Sequence, residues 1–215
     1  MSKDQSFQHA AWRRLRRNKG ALFGLVIIIL ATFIAIFAYF LAPDPSPFAN
    51  RIILEIGGNK PGFRQDFLLV KKEKSISDPS FLNRLMSGKE DPYYYVPIVS
   101  HAQKADSIIV QKFIDEGLSE RRAYAVNQLS ASPVVSQKFI LGTDKFGRDI
   151  FSRLLVGTRV SLSVGLITVI ISLSIGLLLG SLAGYFRGKT DEAIMWFINV
   201  IWSIPTLLLV FAITL

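Results

Sequence analysis

Charge-free apolar runs separated by mixed polar sequence dominate the pattern of this chain. Three of them, residues 21–42, 161–186 and 193–215, contain no Asp, Glu, Lys or Arg. Each matches the roughly 20 residues that a helix rising 1.5 Å per residue needs to cross a bilayer core. The first holds fourteen Leu, Ile, Val or Phe residues, which at about −0.3 to −0.6 kcal/mol each favour insertion by roughly 4 to 8 kcal/mol. It is also longer than the h-region of a cleaved signal peptide, about 7 to 15 residues. Pro43, Pro45 and Pro47 follow it where a small-x-small cleavage site would stand. The pattern predicts three transmembrane helices, with a long segment, 43–140, between the first and the second.

Lys and Arg orient these helices. Residues 1–20 hold Lys3, Arg13, Arg14, Arg16, Arg17 and Lys19 against Asp4 alone, a positive-inside signal for a cytoplasmic tail. Segment 43–140 is nearly balanced, with thirteen basic and eleven acidic residues interspersed. The overall net charge of +9 is therefore no argument for a nucleic-acid partner. The first helix then runs outward, 43–140 is an extracytoplasmic insert, and 161–186 returns inward. Residues 187–192, Arg-Gly-Lys-Thr-Asp-Glu, read as a short cytoplasmic turn closing a helical hairpin, and 193–215 runs outward again.

The insert has no cysteine to staple it and must fold by burial. Eight of the nine prolines lie between Pro43 and Pro133, which argues against long helices over most of it. Phe67–Val70 and Tyr93–Val96 read as short strands. Ser107–Phe113 reads as helical, and Ser119 caps a second predicted helix through Leu129. Helix, Gly117-Leu118, helix with Arg121 and Arg122 on the second element resembles a helix-turn-helix, but its expected side of the membrane makes a plain helical hairpin the better reading. The fold expected is thus all-α transmembrane with a mixed α+β extracytoplasmic insert.

Candidate chemistry changes this picture little. The sequence has no phosphate-binding glycine loop, nucleophile elbow or zinc-binding histidine pair. His101 and Asp106 lack the three or four partners a metal site needs, and His9 lies in the tail. Asp144 and Asp149 lie outside the apolar runs, where intramembrane ionisable groups would mark function. No catalytic residue, cofactor or metal is expected.

Two patterns in the apolar runs speak of packing and transport. Ser172, Gly176, Gly180 and Gly184 recur every fourth residue, a stripe of small side chains on one helix face that admits another backbone closely. Asn199, Ser203 and Thr206 share a face of the last run, and Pro205 should kink it there and free a carbonyl. Polar groups at membrane depth face protein or water, so these residues either line a pathway or bond to neighbouring helices.

Residues 141–162, Leu-Gly-Thr-Asp-Lys-Phe-Gly-Arg-Asp-Ile-Phe-Ser-Arg-Leu-Leu-Val-Gly-Thr-Arg-Val-Ser-Leu, closely resemble the signature ahead of the second membrane helix in C-type permeases of oligopeptide, dipeptide and nickel ABC importers. Its fixed positions are Gly142, Thr143, Asp144, Gly147, Arg148, Asp149, Arg153 and Gly157. Ala183-Gly184-Tyr185-Phe186, Ser203-Ile204-Pro205-Thr206 and the tail from Trp12 to Lys19 also resemble that family. Read on its own, 141–160 is a turn followed by an amphipathic interfacial helix with Ile150, Phe151, Leu154 and Leu155 on one side, and a structural role is the simpler one for it.

The resemblance implies a multi-pass subunit of a bacterial cytoplasmic membrane that pairs with a B-type permease, docks two cytoplasmic ATPase subunits and receives substrate from an extracytoplasmic binding protein. ATP would bind the partners. It leaves the cargo open among peptides, nickel chelates, glutathione-like solutes and antibiotic peptides. The insert is longer than the family's usual loop, although microcin-type permeases carry extended loops there. The family places three more helices and an ATPase-coupling loop downstream, so the chain reads as truncated at its C-terminus. The alternative is a membrane-anchored scaffold whose insert binds a partner protein.

Overall fold

A computed structural model describes residues 12–73, 78–104 and 106–215; Lys3, Asp4 and His9 of the basic tail lie outside the described residues. The chain forms two compact units that divide between Leu162 and Ser163.

In the first unit, helix α1, Lys19–Leu41, begins where the Asn18 side chain accepts a hydrogen bond from Ala21 N at 3.1 Å. Its 23 residues span about 34 Å, enough for a hydrocarbon core of about 30 Å. The insert that follows is a five-stranded antiparallel sheet: β1 Arg64–Lys71, β2 Tyr93–Lys104, β3 Ser107–Asp115, β4 Leu118–Ala125 and β5 Leu129–Lys138, in the order β4-β3-β2-β1-β5. A two-turn helix, α2, Phe81–Ser87, lies between β1 and β2.

The sheet is rolled, as its connections require. In a flat sheet β4 and β5 would lie roughly 19 Å apart, four spacings of about 4.8 Å. They are joined only by the 3-10 turn Val126–Gln128, which spans about 6 Å. Rolling brings the edges together around one core: Leu68 of β1, Ile98 of β2, Ile108 and Val110 of β3 and Leu129 of β5 are buried, with Tyr124 of β4 packed against them. The long strand β2 pairs with β1 through Ile98 and with β3 from Ile98 onward, with a register shift between Ile98 and Ser100. Pro97, which has no N–H to give a ladder, sits where β2 passes between its two partners. The outer face of β1 is covered as well. Phe67 packs with Ile53, Ile56 and Phe139 in a second cluster, so the segment after α1 is fastened to the sheet.

The strands expected at Phe67–Val70 and Tyr93–Val96 are parts of β1 and β2. The α-helices expected at 107–113 and 119–129 are not present: those residues form β3, β4, the 3-10 turn Val126–Gln128 and the start of β5. Ile108 and Val110 are buried alternately, which is strand periodicity, and Gly117 at φ +79° turns a hairpin into β4. The helix-turn-helix likeness therefore falls, since Arg121 and Arg122 stand on an exposed edge strand. Among the described residues the insert is a β unit with one short α-helix and three 3-10 turns.

Helix α3, Ile150–Phe186, is continuous over 37 residues. At about 55 Å it is much longer than a bilayer core. Its first residues belong to the insert's packing, with Ser152, Leu155 and Val156 buried. The helix expected before residue 161 is thus continuous with the helix of the second apolar run.

The second unit carries the rest of α3, then α4, Gly188–Ser203, and α5, Thr206–Thr214. The turn expected over 187–192 contracts to a break at Arg187 and Gly188, both at positive φ. Asp191 lies in the first turn of α4, where an acid suits the helix dipole. At Pro205 the run does more than kink: α4 and α5 meet at 82°. Among the described residues α1 and α3 are each long and apolar enough to cross a membrane, and α4 with α5 would make a third only if the bent pair is one span.

Candidate functional site

Residues 141–153 form a knot at the entrance to α3. Gly142 and Gly147 adopt φ of +78° and +72°, and a Cβ on either would overlap backbone oxygen, of Asn59 and Ile53 respectively. Glycine is demanded twice over there, by conformation and by space. Thr143, buried, accepts from Asn59 N at 3.0 Å and donates to Ile56 O at 2.5 Å. Asp144 accepts from Phe146 N at 2.9 Å, from Arg148 N at 3.0 Å and from Arg148 Nε at 2.7 Å, and Arg148 Nη1 donates to Asn50 Oδ1 at 3.0 Å. Burial pushes the Asp144 carboxyl up, but the Arg148 guanidinium and the two N–H groups outweigh it and hold the pKa below its ordinary value. Arg153 stands farther off, at 3.6 Å from Asp144, and is more exposed.

Asp149 caps α3. Its carboxylate accepts from Phe151 N at 3.3 Å and Ser152 N at 3.2 Å, and from the Ser152 hydroxyl, so the helix starts with its free N–H groups satisfied and a negative charge at its positive end. Ser152 Oγ in turn accepts from Asp44 N at 2.9 Å. Asp44, buried, accepts from Ser46 N and from Arg51 N at 3.0 and 3.1 Å. Arg51 reaches on to Asp91 at 2.6 Å and lies over the Tyr95 ring at 3.8 Å. A continuous polar chain thus runs from β2 through Asp91, Arg51, Asp44 and Ser152 to Asp149. Burial pushes the Tyr95 phenol up to about 12, opposed by Arg51 and aided by Asp91.

The structure brings Gly142, Thr143, Asp144, Gly147, Arg148 and Asp149 together, with Arg153 at the margin. Gly157 stands apart in α3, with nothing within 4 Å of where its Cβ would be. Asp44, Arg51, Asp91 and Ser152 were missed. Asp44 and Ser152 are 108 positions apart, and no spacing rule joins them. The only signal available was an acid and a base close behind an apolar span.

Ser172, Gly176, Gly180 and Gly184 lie along α3 in the second unit, all exposed, and no atom lies within 4 Å of a Cβ built on any of the three glycines. Asn199 and Ser203 end α4, where Ser203 Oγ donates to Asn199 O at 2.7 Å. Pro205 is the N-cap of α5 and Thr206 its first residue. The four adjoin the 82° bend.

Residues 6–61 match the family described as the N-terminal transmembrane domain of oligopeptide transport permease C. A di/tripeptide transport system permease protein of Pseudomonas aeruginosa is 32% identical over 203 residues, 94% of this chain and 43% of that protein. A dipeptide transport system permease protein of Lactococcus lactis is 28% identical over 95% of this chain and 48% of its own length. A glutathione transport system permease protein of Pectobacterium atrosepticum is 48% identical over 73 residues, 34% of this chain and 24% of that protein. The chain therefore spans less than half the length of these relatives. An alignment of 203 of 215 residues leaves out twelve, so it extends across the insert. No solved structure matches the chain. By the N-terminal family match and by relatives aligned over nearly all of its residues, the chain is similar to the C-type permease subunits of peptide transport systems.

Proposed function

We propose that this chain forms part of the translocation pathway of an ATP-driven importer of peptides or related small solutes, in a bacterial cytoplasmic membrane, with its N-terminus in the cytoplasm. The observation that carries the reading is the alignment of 203 residues with a permease named for di/tripeptide transport, which takes in α1, the insert and α3 together. It acts with a B-type permease, two cytoplasmic ATPase subunits that bind and hydrolyse ATP, and an extracytoplasmic substrate-binding protein.

The knot is a positioning device in this reading. It holds the start of α3 against the insert, so that the helix moves as one rod when the ATPases close, as alternating access by rocking halves requires. The open stripe from Ser172 to Gly184 takes the close approach of another helix. Asn199, Ser203, Pro205 and Thr206 offer polar groups and freed backbone at a broken helix, which membranes tolerate where backbone faces protein or a watery path.

The test is affinity purification of the chain after coexpression with its candidate partners, followed by ATPase assay of the product. Recovery of a nucleotide-hydrolysing subunit whose activity responds to binding protein and peptide is the expected result. Recovery of the chain with extracytoplasmic proteins only would transfer it to the anchored-scaffold reading.

A further inference from the structure

The short helix α2 takes no part in the knot, yet three large apolar side chains on it face outward: Phe81, Leu82 and Met86 are 62%, 64% and 67% exposed. At 100° per residue Phe81, Leu85, Leu82 and Met86 fall within an arc of about 140°. Asn83, Ser87 and Arg84 fill the remainder, so the helix is amphipathic with its apolar side uncovered.

Its neighbours fix where that side lies. Phe81 packs on Phe40 in the last turn of α1, with ring centroids 5.5 Å apart. Phe40 continues a row of rings up α1, 6.5 Å from Phe37, which is 4.8 Å from Phe33. The apolar surface of α2 therefore prolongs that of α1 at the level where α1 ends. Cations gather at the same level. The Arg84 guanidinium lies 4.6 Å over the Phe40 ring, Lys89 pairs with Asp78, and Arg159 donates to Leu85 O and lies 5.5 Å from the Tyr39 ring.

We propose that α2 is a membrane-surface anchor: Phe81, Leu82 and Met86 enter the boundary between acyl chains and headgroups, and Arg84, Lys89 and Arg159 meet lipid phosphates. The partner is the bilayer itself. A helix with an uncovered apolar side, flanked by Lys and Arg beside the end of a span, has the composition and position of an interfacial element. Seated in this way, α2 sets the insert's height and tilt on the membrane. The inference rests on α1 being a membrane span.

The chain has no cysteine, so single nitroxide labels can be placed without background. Leu82→Cys, Met86→Cys and Asn83→Cys, with Ile28→Cys in α1 as the control for the span, are labelled on the full chain in phosphatidylethanolamine–phosphatidylglycerol bilayers. All four positions are exposed, so the fold tolerates them. Collision with oxygen, which partitions into lipid, is compared with collision with a water-soluble nickel chelate. The expected oxygen-to-chelate ratio at 82 and 86 is at least about threefold that at 83, at a depth shallower than position 28, as an interfacial helix requires. Ratios at 82 and 86 equal to that at 83, with position 28 deep, would overturn the anchor and leave the span standing. Labels at 82 and 86 immobilised and shielded from both reagents would overturn it in favour of a protein cover. Free access of chelate to position 28 would overturn the span, and the anchor with it.

Discussion

At Gly147 two constraints coincide, a φ that side chains rarely adopt and a backbone oxygen where a Cβ would be. Neither can give without moving Ile53, which belongs to the cluster under Phe67. Gly147→Ala should therefore cost well over the roughly 1 kcal/mol of an ordinary glycine replacement, measured as a lower midpoint of thermal unfolding in detergent. Gly157→Ala is the contrast. It sits within a helix with open space around it, so it should be neutral or stabilise by about 0.5 to 1 kcal/mol. Equal losses for the two would mean that the knot is not built as described. Asp144 adds a dependence on pH. Its folded pKa is depressed, so its contribution is present above the unfolded value of about 3.9 and is lost as pH falls through the folded pKa. Asp144→Asn should be less stable than the parent at pH 7, and the gap should close on acidification below about pH 4. A gap independent of pH would assign the loss to packing.

The elements legible in the sequence were those whose residues determine them locally. The two long apolar runs need only length and lack of charge, β1 carries the short apolar run Phe67–Val70, and β2 opens on dense aromatic and β-branched residues, Tyr93 to Val96. β3 has strand composition in Ile108, Ile109, Val110, Phe113 and Ile114, so the helix expected over it went against its own residues; β4 was not legible because residues 118–125, Leu-Ser-Glu-Arg-Arg-Ala-Tyr-Ala, suit a helix locally. They become a strand only through pairing with β3, a tertiary override of propensity. The glycine and acid positions of the knot were visible as a motif, but its partners Asp44, Arg51 and Asp91 were not, being joined to it only by folding. The roll makes the strand assignment testable. Leu68→Ala removes a buried side chain from the shared core and should cost about 2 to 5 kcal/mol, whereas Arg121→Ala on the exposed edge of β4 should change stability by no more than about 0.5 kcal/mol, both read by near-ultraviolet circular dichroism in urea. At the other end, the bend of 82° depends on Pro205, which cannot continue the hydrogen-bond ladder. In Pro205→Ala, spin labels at Met195 and Phe211 should move apart by several ångström, toward the roughly 24 Å that sixteen residues of straight helix span. An unchanged distance would place the cause of the bend in Ile204 or its surroundings.

For the whole molecule the deciding quantity is sidedness. The basic tail has six Lys or Arg within twenty residues, close enough to α1 to be retained in the cytoplasm. The insert is too long for its own balanced charges to oppose this, since loops beyond about 60 residues translocate largely regardless of charge. Arg187 and Lys189, at the far end of α3, should then return to the cytoplasmic side. Single cysteines at Gln8 and Asp191 should react with a membrane-impermeant maleimide only after cells are permeabilised, whereas cysteines at His101 and Ser119, both exposed on the sheet, should react in intact cells. Reaction of all four in intact cells would mean that α1 does not span. Reaction at Gln8 and Asp191 alone would invert the chain, placing the insert on the cytoplasmic side and contradicting the proposed delivery of cargo by an extracytoplasmic binding protein. The expected pattern leaves the insert, its short helix α2 and the entrance to α3 together on the extracytoplasmic side. On the proposed function the knot would then stand between the point of delivery and the helix that moves, where a rigid joint is of most use.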